Sequence, residues 1–509
     1  MEQKIGIVFN YNHLPDVSKF TFIINTNKHQ HQVKKGQFVY VDTKQGFLIG
    51  IIEKIIINNE YFSDALTIKA YNSDNNPNIL KGLFPSDDFE FAIAIVKNLG
   101  IITIKDKQNF VIEKIQRMTY PVRPGAEVCL VNKQLINNFL GFKEENGLNV
   151  GKLKVSEIDA SINMNRLLSK HLAILAISGA GKSYLTSILI EELLSRKEGS
   201  GTPAIVLIDV HGEYQYLKEI PQLKDKILLQ DITYFQIAVP SLNARVFRKY
   251  QSEISHVQIR ELSRCIKNLK NNNEKKKKYT LNDIIEYLEQ DHNGNKATKQ
   301  ALVGWLSELN HLQLFGPIEN PLLNNIIKKN HLIIFDLKNE ISIRKKQIIV
   351  DYICSRLFYM RRMQNIPPFL LIIEEAHQFA PEAAQSKALS KSIIETIARE
   401  GRKFMACLCL ISQRPKKLST TALSQLNSKM ILNIKNPYDL KHLMESSEAI
   451  TKDYVDMISS MGVGEMLLMG NAVNYPVFID IRERMFKSPN EDMTLDTLCI
   501  NWIKNEKLN

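Results

Sequence analysis

The sequence predicts an α/β chain: a mostly parallel sheet carrying a phosphate-binding loop, preceded by a small β-barrel and interrupted by a helical lobe. Three observations predict it. From about residue 165 onward, near-continuous apolar runs alternate with helical patterns, as strands buried on both faces of a parallel sheet require. The stretch His171 to Lys197 reads as a short apolar strand, a small-residue loop with Ser-Gly-Ala-Gly-Lys-Ser, and an amphipathic helix. Upstream, short apolar or alternating runs recur between turn clusters at even spacing, the pattern of a barrel.

At 509 residues the chain exceeds what one core holds, and about two to four domains are expected. With 44% apolar and 24% charged residues it reads as soluble and globular. Its longest apolar runs, such as Phe369 to Ile373, fall far short of a bilayer span. Met-Glu-Gln-Lys at the amino terminus lacks the apolar core of a secretory signal, so no membrane association and a cytoplasmic location are expected. The six cysteines (Cys129, Cys265, Cys354, Cys407, Cys409 and Cys499) form no Cys-x-x-Cys pair, which argues against a zinc site or a disulfide framework. The net charge of +12 and the pI near 9.1 fit a polyanionic partner and equally fit a lysine-rich composition, so charge leaves nucleic acid open.

Residues 1–155 hold the barrel, with runs at Ile5 to Phe9, Phe20 to Ile24, Phe38 to Asp42, Phe47 to Ile56 and Phe91 to Val96, and turns at Lys34-Lys35-Gly36 and Pro124-Gly125. They contain no catalytic constellation and read as a docking or oligomerisation platform. Residues 156–242 form the first part of the core, and 243–330 a helical insertion. Within that insertion the polar run Asn271 to Lys278 reads as a solvated loop. Residues 331–485 complete the core. Its strands are Ala204 to Asp209, His331 to Asp336, Phe369 to Ile373, Met405 to Ser412, Lys429 to Ile434 and Glu465 to Met469. In the tail, 486–509, Leu495, Leu498, Cys499, Trp502 and Ile503 recur at helical spacing, as in a docked helix.

The phosphate loop is the first motif with chemistry. Ser178, Gly179, Ala180, Gly181, Lys182, Ser183 and Tyr184 are the expected nucleotide-binding residues. Gly179 and Gly181 let main-chain N–H groups turn inward around the β- and γ-phosphates of ATP, and the helix opening at Lys182 adds its positive dipole end. Lys182 reaches the terminal phosphates, and the Ser183 hydroxyl ligates a bridging Mg²⁺. The pattern Gly-x-x-x-x-Gly-Lys-Ser expects glycine where this chain has Ala176. A positive φ there would cost alanine ~1–2 kcal/mol, so an ordinary extended conformation is expected.

Phe369-Leu-Leu-Ile-Ile-Glu374-Glu375-Ala-His377 is an apolar strand ending in two carboxylates. It is expected beside the phosphate-loop strand, with its acids on opposite faces, Glu374 orienting Mg²⁺ through water and Glu375 polarising the attacking water. Gln413, closing the next strand, is suited to bond the γ-phosphate or its water. Asp209-Val210-His211-Gly212-Glu213-Tyr214 lies at a carboxyl sheet edge, where ligands bind. There Asp209, His211 and Glu213 are accessory candidates, and the latter two read equally as turn or capping residues. Arg399 and Arg402, three apart at a helix end and expected on one face, suit either a finger reaching a neighbour's phosphate or simple complementation of the helix dipole.

Together these motifs resemble the HerA family, within the HerA/FtsK class of P-loop ATPases with a RecA-like core. The similarity covers the barrel, His171 to Ser183, Asp209 to Tyr214, Glu374 to Pro381, Ile397 to Lys403 and Ser412 to Leu418, with Gly462-Val-Gly464-Glu465 and Tyr475-Pro476-Val477 as a family-like hairpin. The resemblance implies a homohexamer with ATP between neighbours, double-stranded DNA through its channel, and a nuclease of the NurA type on the barrels. Lys170 stands where a family arginine acts across the interface; lysine keeps the charge but loses the bidentate fork. Val210 replaces the usual proline of its motif. The implied activity is that of a DNA translocase or helicase in end resection and double-strand break repair. The alternative is a nucleotide-regulated ring scaffold in antiviral defence with a sirtuin-like or nuclease effector. No nuclease, sirtuin or protease constellation lies in the chain itself, so any cutting falls to a partner.

Overall fold

A computed structural model of the chain describes residues 3–10, 14–25, 33–59, 69, 90–106, 111–197, 199–272, 278–292, 295–382, 388–446, 450–487, 496 and 499. Of the run expected as a loop, Asn271 and Asn272 instead end a helix and residues 273–277 lie outside the described residues, as do Leu495, Leu498, Trp502 and Ile503 in the tail. The chain divides into two compact units, Met1–Asn163 with Val473–Asp480, and Met164–Ala472 with Ile481–Asn509.

In the first unit seven strands follow one another: β1 (Lys4–Val8), β2 (Lys19–Ile24), β3 (Phe38–Thr43), β4 (Gly46–Asn59), β5 (Glu90–Asp106), β6 (Val111–Gln116) and β7 (Glu127–Leu130). They hydrogen-bond in the order β2-β1-β7-β3-β4-β5-β6, and β2 also pairs with β5. That last pairing closes six strands into a barrel, which removes the open edges a small sheet would otherwise expose. Period-two burial fills the interior: Phe20, Phe22 and Ile24 from β2, Val39 and Val41 from β3, and Ala92, Ala94 and Val96 from β5 share one core. Each large side chain so buried contributes roughly 1.5–3 kcal/mol. Strands β4 and β5 run well beyond their apolar segments, and register shifts between Ile49 and Gly50 and between Ile52 and Lys54 let the long pair bend around the ring. Beyond the barrel come α1 (Lys133–Leu140), capped by the Asn132 side chain, and the antiparallel pair β8 (Leu148–Leu153) and β9 (Asp159–Ile162). The returning segment Val477–Ile481 lies along the other edge of β8.

The second unit is the α/β core. It begins with α2 (Met164–Leu168), β10 (Leu172–Leu175) and α3 (Lys182–Leu194), followed by β11 (Ala204–Asp209), β12 (Ile227–Asp231) and the two-residue β13 (Ile237–Ala238). A helical stretch follows: α4 (Ala244–Tyr250), α5 (His256–Asn272), α6 (Leu281–Gln290) and α7 (Lys296–Asn310). In it Thr280 and Asp283 form a reciprocal capping box at the start of α6. The core then resumes with β14 (Phe315–Gly316), α8 (Leu323–Ile326), β15 (Leu332–Asp336), α9 (Ile343–Arg362) and β16 (Phe369–Ile373). After these come α10 (Lys391–Glu400), β17 (Ala406–Ser412), α11 (Thr420–Gln425), β18 (Ser428–Ile431), α12 (Pro437–Glu445), α13 (Lys452–Ser460) and β19 (Glu465–Gly470).

The sheet order in this unit is β12-β15-β11-β16-β17-β10-β18-β19, parallel throughout except for the last strand. Every residue of β10, β11 and β16 is buried, which explains why these segments read as unbroken apolar runs. One expectation is corrected here. The acidic strand β16 does not adjoin the phosphate-loop strand β10, because β17 lies between them. Both neighbours of β10 are apolar and parallel, and nothing in their composition encodes lateral order. Among the described residues no helix is long and apolar enough to cross a membrane.

Candidate functional site

The carboxyl end of β10 opens into the loop 176–181. Ala176 has no positive φ, whereas Gly179 (φ 77°) and Gly181 (φ 96°) both sit in the left-handed region that favours glycine. Gly181 is the N-cap of α3 and offers no side-chain hydrogen bond to the helix. The first N–H groups of α3 therefore remain for a ligand, and the dipole makes that ligand an anion. Lys182 is buried at its base with 9% exposure. Inside α3 the Thr186 hydroxyl bonds the Lys182 carbonyl at 2.9 Å and Ser187 bonds that of Ser183 at 2.9 Å, so the opening turn is held rigid.

The two acids follow β16 but do not alternate across it. The strand ends at Ile373, and Glu375 takes a left-handed φ of 45°. The turn, rather than the pleat, therefore sends the two carboxylates to different partners. Glu374 is buried and accepts the Val210 N–H at 3.3 Å and the Tyr214 hydroxyl at 3.3 Å. Burial, then the charges of Asp209 and Glu213, raise its pKa well above the usual carboxylate range. Glu375 is 3% exposed, and its pKa is also raised by burial, while the Lys182 charge and a hydrogen bond from Gln413 pull the other way. Its Oε2 has no hydrogen-bond donor. His377 Nδ1 lies 3.2 Å from that oxygen, but burial and the charges of Arg414, Lys417 and Lys182 lower the imidazole pKa to about 4. The ring is thus neutral near pH 7 and offers Glu375 no ion pair.

Asp209 has a specific task in the structure. Its fully buried carboxylate accepts the main-chain N–H groups of His211, Gly212, Glu213 and Tyr214 at 3.2, 2.7, 3.2 and 3.1 Å. It shapes the loop that carries His211 and Glu213 and delivers Tyr214 to Glu374. Both His211 and Glu213 are close enough for their charges to act on Glu375. Beside the phosphate loop opens a cavity of about 450 Å³ lined by Ile177, Ser178, Gln413, Arg414, Lys416 and Lys417, together with Asn436 and Asp439. The left-handed glycines and the uncapped helix start fit the phosphates of a nucleotide, and among the described residues no group of three or more His, Cys, Asp or Glu side chains gathers to hold a metal.

Three predicted residues are not gathered here. Lys170 precedes β10, where its ammonium donates to Asn471 Oδ1 at 3.0 Å. Arg399 and Arg402 are exposed and precede β17, whereas Gln413 follows it. The seven residues of that strand separate them from their own phosphate loop by roughly 20 Å. The expected common helical face is also corrected: α10 ends at Glu400, and Arg402 lies in the tighter 3₁₀ turn Gly401–Phe404.

Sequence reasoning passed over several participants. Tyr214 and His377 stood inside motifs, and their hydroxyl and imidazole were the available signal. Arg484 carried none, being three hundred residues from its partners. Its guanidinium stacks 4.4 Å from the Tyr184 ring, its N–H bonds the Tyr184 hydroxyl at 3.0 Å, and its Nη1 bonds the Tyr216 hydroxyl at 3.1 Å. Fully buried Glu191 fastens the same segment to α3, accepting the N–H groups of Met485 at 3.0 Å and Phe486 at 3.1 Å. Arg482 pairs with Glu191 at 3.4 Å and with Glu192 at 2.9 Å.

Residues 148–357 match the family described as "Helicase HerA, central domain". A DNA double-strand break repair helicase HerA of Sulfolobus acidocaldarius is 30% identical over 363 residues, covering 68% of this chain and 71% of that protein. A probable helicase of Methanocaldococcus jannaschii is 28% identical over 485 residues, 91% of this chain and 89% of the relative. The HerA of Pyrococcus furiosus is 26% identical over 544 residues, 94% and 92%. In fold, the chain is similar to VirB4 of Thermoanaerobacter pseudethanolicus, with a TM-score of 0.51, 15% identity, and coverage of 69% of this chain and 100% of that one. The phosphate loop, the paired acids and the α/β sheet with its barrel therefore sit within a similarity that runs along most of the sequence, and the chain belongs to the HerA family.

Proposed function

We propose that this chain is an ATP-hydrolysing motor that moves along double-stranded DNA as a ring of six, with each nucleotide held between neighbours. Its relatives named as DNA double-strand break repair helicases support that setting. On this reading a nuclease of the NurA type docks on the barrel and performs the cutting in end resection. The observation that carries the proposal is the buried Oε2 of Glu375, which accepts no hydrogen bond and belongs to a carboxyl group close enough to Lys182 to feel its charge.

The chain's own groups divide the work. Main-chain N–H groups of the phosphate loop and of the first turn of α3, with the Lys182 ammonium, bind and orient the triphosphate, and Ser183 with Glu374 would hold Mg²⁺. When bound, the metal neutralises charge building on the β- and γ-phosphate oxygens. Glu375 takes a proton from the water that attacks the γ-phosphorus, while the bond from that phosphorus to the bridging oxygen breaks to give ADP and phosphate. Gln413 holds Glu375 in place, and neutral His377 leaves its carboxylate free to act as base. The arginines at the far edge of the sheet cannot reach this water within one chain, so Arg399, Arg402 and the weaker candidate Lys170 serve a neighbour.

Glu375→Gln is the test. Turnover of ATP should fall ~10²–10⁴-fold, with ATP and DNA still bound. Turnover within threefold of the parent would remove Glu375 as the base, and a monomer in the presence of ATP and DNA would remove the ring.

A further inference from the structure

His171 opens β10 in an unusual way. Its φ of 66° is left-handed, although it is not a glycine, and its side chain is 2% exposed. Such strain persists only where the surroundings over-determine it. The ring leaves the strand it begins and enters the space under the turn that joins α10 to β17. There Nδ1 accepts the Leu408 N–H at 3.0 Å. The neutral ring must then carry its proton on Nε2, which makes no hydrogen bond although the Ala398 carbonyl lies close enough to act on the ring. Burial keeps it neutral, its pKa lowered to about 4.

Gly401 packs against the same ring. A Cβ at Gly401 would come within 3.2 Å of His171 Cε1 and 2.4 Å of the Ala406 carbonyl oxygen. The imidazole therefore touches the two residues that immediately precede Arg399 and Arg402. On its backbone side, the His171 carbonyl accepts the Ser428 N–H at 3.2 Å, and the Lys170 carbonyl accepts the Asn427 N–H at 3.0 Å. One end of this residue is thus fixed beside the phosphate-loop strand and β18, and its ring is bonded to Leu408 of β17 and packed against Gly401 of the arginine turn. A leucine could fill the volume but could not accept the Leu408 N–H.

We infer that His171 is a positioning residue that locks the Arg399–Arg402 turn to the phosphate-loop strand of its own subunit, so that these arginines are held where a neighbour's nucleotide site needs them. The inference rests on the reading that these arginines act in trans.

Rings mixed from two full-length variants test it. A Lys182→Ala subunit can offer only arginines, and an Arg399→Ala/Arg402→Ala subunit only a nucleotide site. Mixing them should restore turnover at junctions where intact arginines face an intact loop. His171→Leu placed in the arginine-donating subunit should then lower the restored turnover on the order of tenfold or more, as expected when a catalytic group is displaced by a fraction of an ångström to an ångström. His171→Asn, which keeps an acceptor for Leu408, should recover most of that loss. Placed in the site-donating subunit, His171→Leu should change turnover less than about twofold by the same reasoning. Equal losses in both placements, or a loss confined to the site-donating subunit, would overturn the inference and leave the trans reading standing. Mixed rings that regain nothing even with His171 intact would overturn the trans reading itself. Should His171→Leu fail to assemble, His171→Gln is read in the same way.

Discussion

Replacing Glu374 by Gln in the nucleotide-free protein should stabilise it at alkaline pH, although it removes a metal-holding carboxylate. Glu374 is 2% exposed, and Asp209 beside it is 0% exposed. Burial and the charges of Asp209 and Glu213 raise its pKa. A carboxyl group raised in this way contributes stability fully below its unfolded pKa, and that contribution is lost as the pH rises through the folded value. The wild-type protein therefore carries a cost at about pH 8 that it does not carry near the unfolded carboxyl pKa. Glutamine has no such cost. Its amide N–H₂ can donate to Asp209, and its oxygen can accept from either Val210 or Tyr214, whose present bonds are both 3.3 Å long. A hydrogen bond to a charged group contributes ~1.5–3 kcal/mol, and losing one of two long acceptor contacts costs about 1, which leaves a net gain of roughly 0.5–2 kcal/mol. For a unit of this size that is an upward shift of ~1–3 °C in melting temperature. Calorimetry without nucleotide or Mg²⁺, at about pH 8 and about pH 4.5, reads it, and the gain should shrink toward zero at the lower value, where the pH approaches the unfolded carboxyl pKa. A lower melting temperature at pH 8, or the same gain at both values, would refute the electrostatic account of the buried acid pair.

Two further outcomes follow from the same geometry. Glu191→Ala strips a buried acceptor from Met485, Phe486 and Arg482, and should cost ~3–5 kcal/mol of stability in thermal melts; a loss under about 1 kcal/mol would mean that the segment is held by other contacts. Binding of double-stranded DNA, measured by fluorescence anisotropy, should weaken at least about tenfold between 50 and 200 mM salt with little sequence preference, because phosphate neutralisation releases counterions. Salt-independent affinity would contradict a channel that reads the backbone.

The phosphate-loop strand, its glycines and the acidic strand were legible because each is local: apolar runs, a small-residue turn and a carboxylate pair at a strand end lie within a few residues of one another. Of the seven strands in the first sheet, five were legible. Strands β6 and β7 were not, because Val111–Gln116 carries Glu113 and Lys114 on a short segment and Glu127–Leu130 is only four residues long. Asp209 was visible as a polar residue at a sheet edge, but its role as acceptor of four N–H groups depends on the loop curling back over it. Glu374 and Glu375 were assigned opposite faces by strand periodicity, and the left-handed backbone at Glu375 supersedes that argument.

Local chemistry in the sequence determined which segments become strands, where anions can be gripped, and which acids end a buried strand, since these follow from side-chain volume, backbone freedom and hydrophobic period. Only the tertiary structure decided that β17 separates β10 from β16, that Glu191 receives residues three hundred positions away, and that Arg399 and Arg402 lie across the sheet from their own phosphate loop. Lateral strand order and the docking of distant segments depend on which apolar faces and buried donors find each other once the chain has collapsed, and parallel strands of similar composition leave no trace of that choice in their own residues.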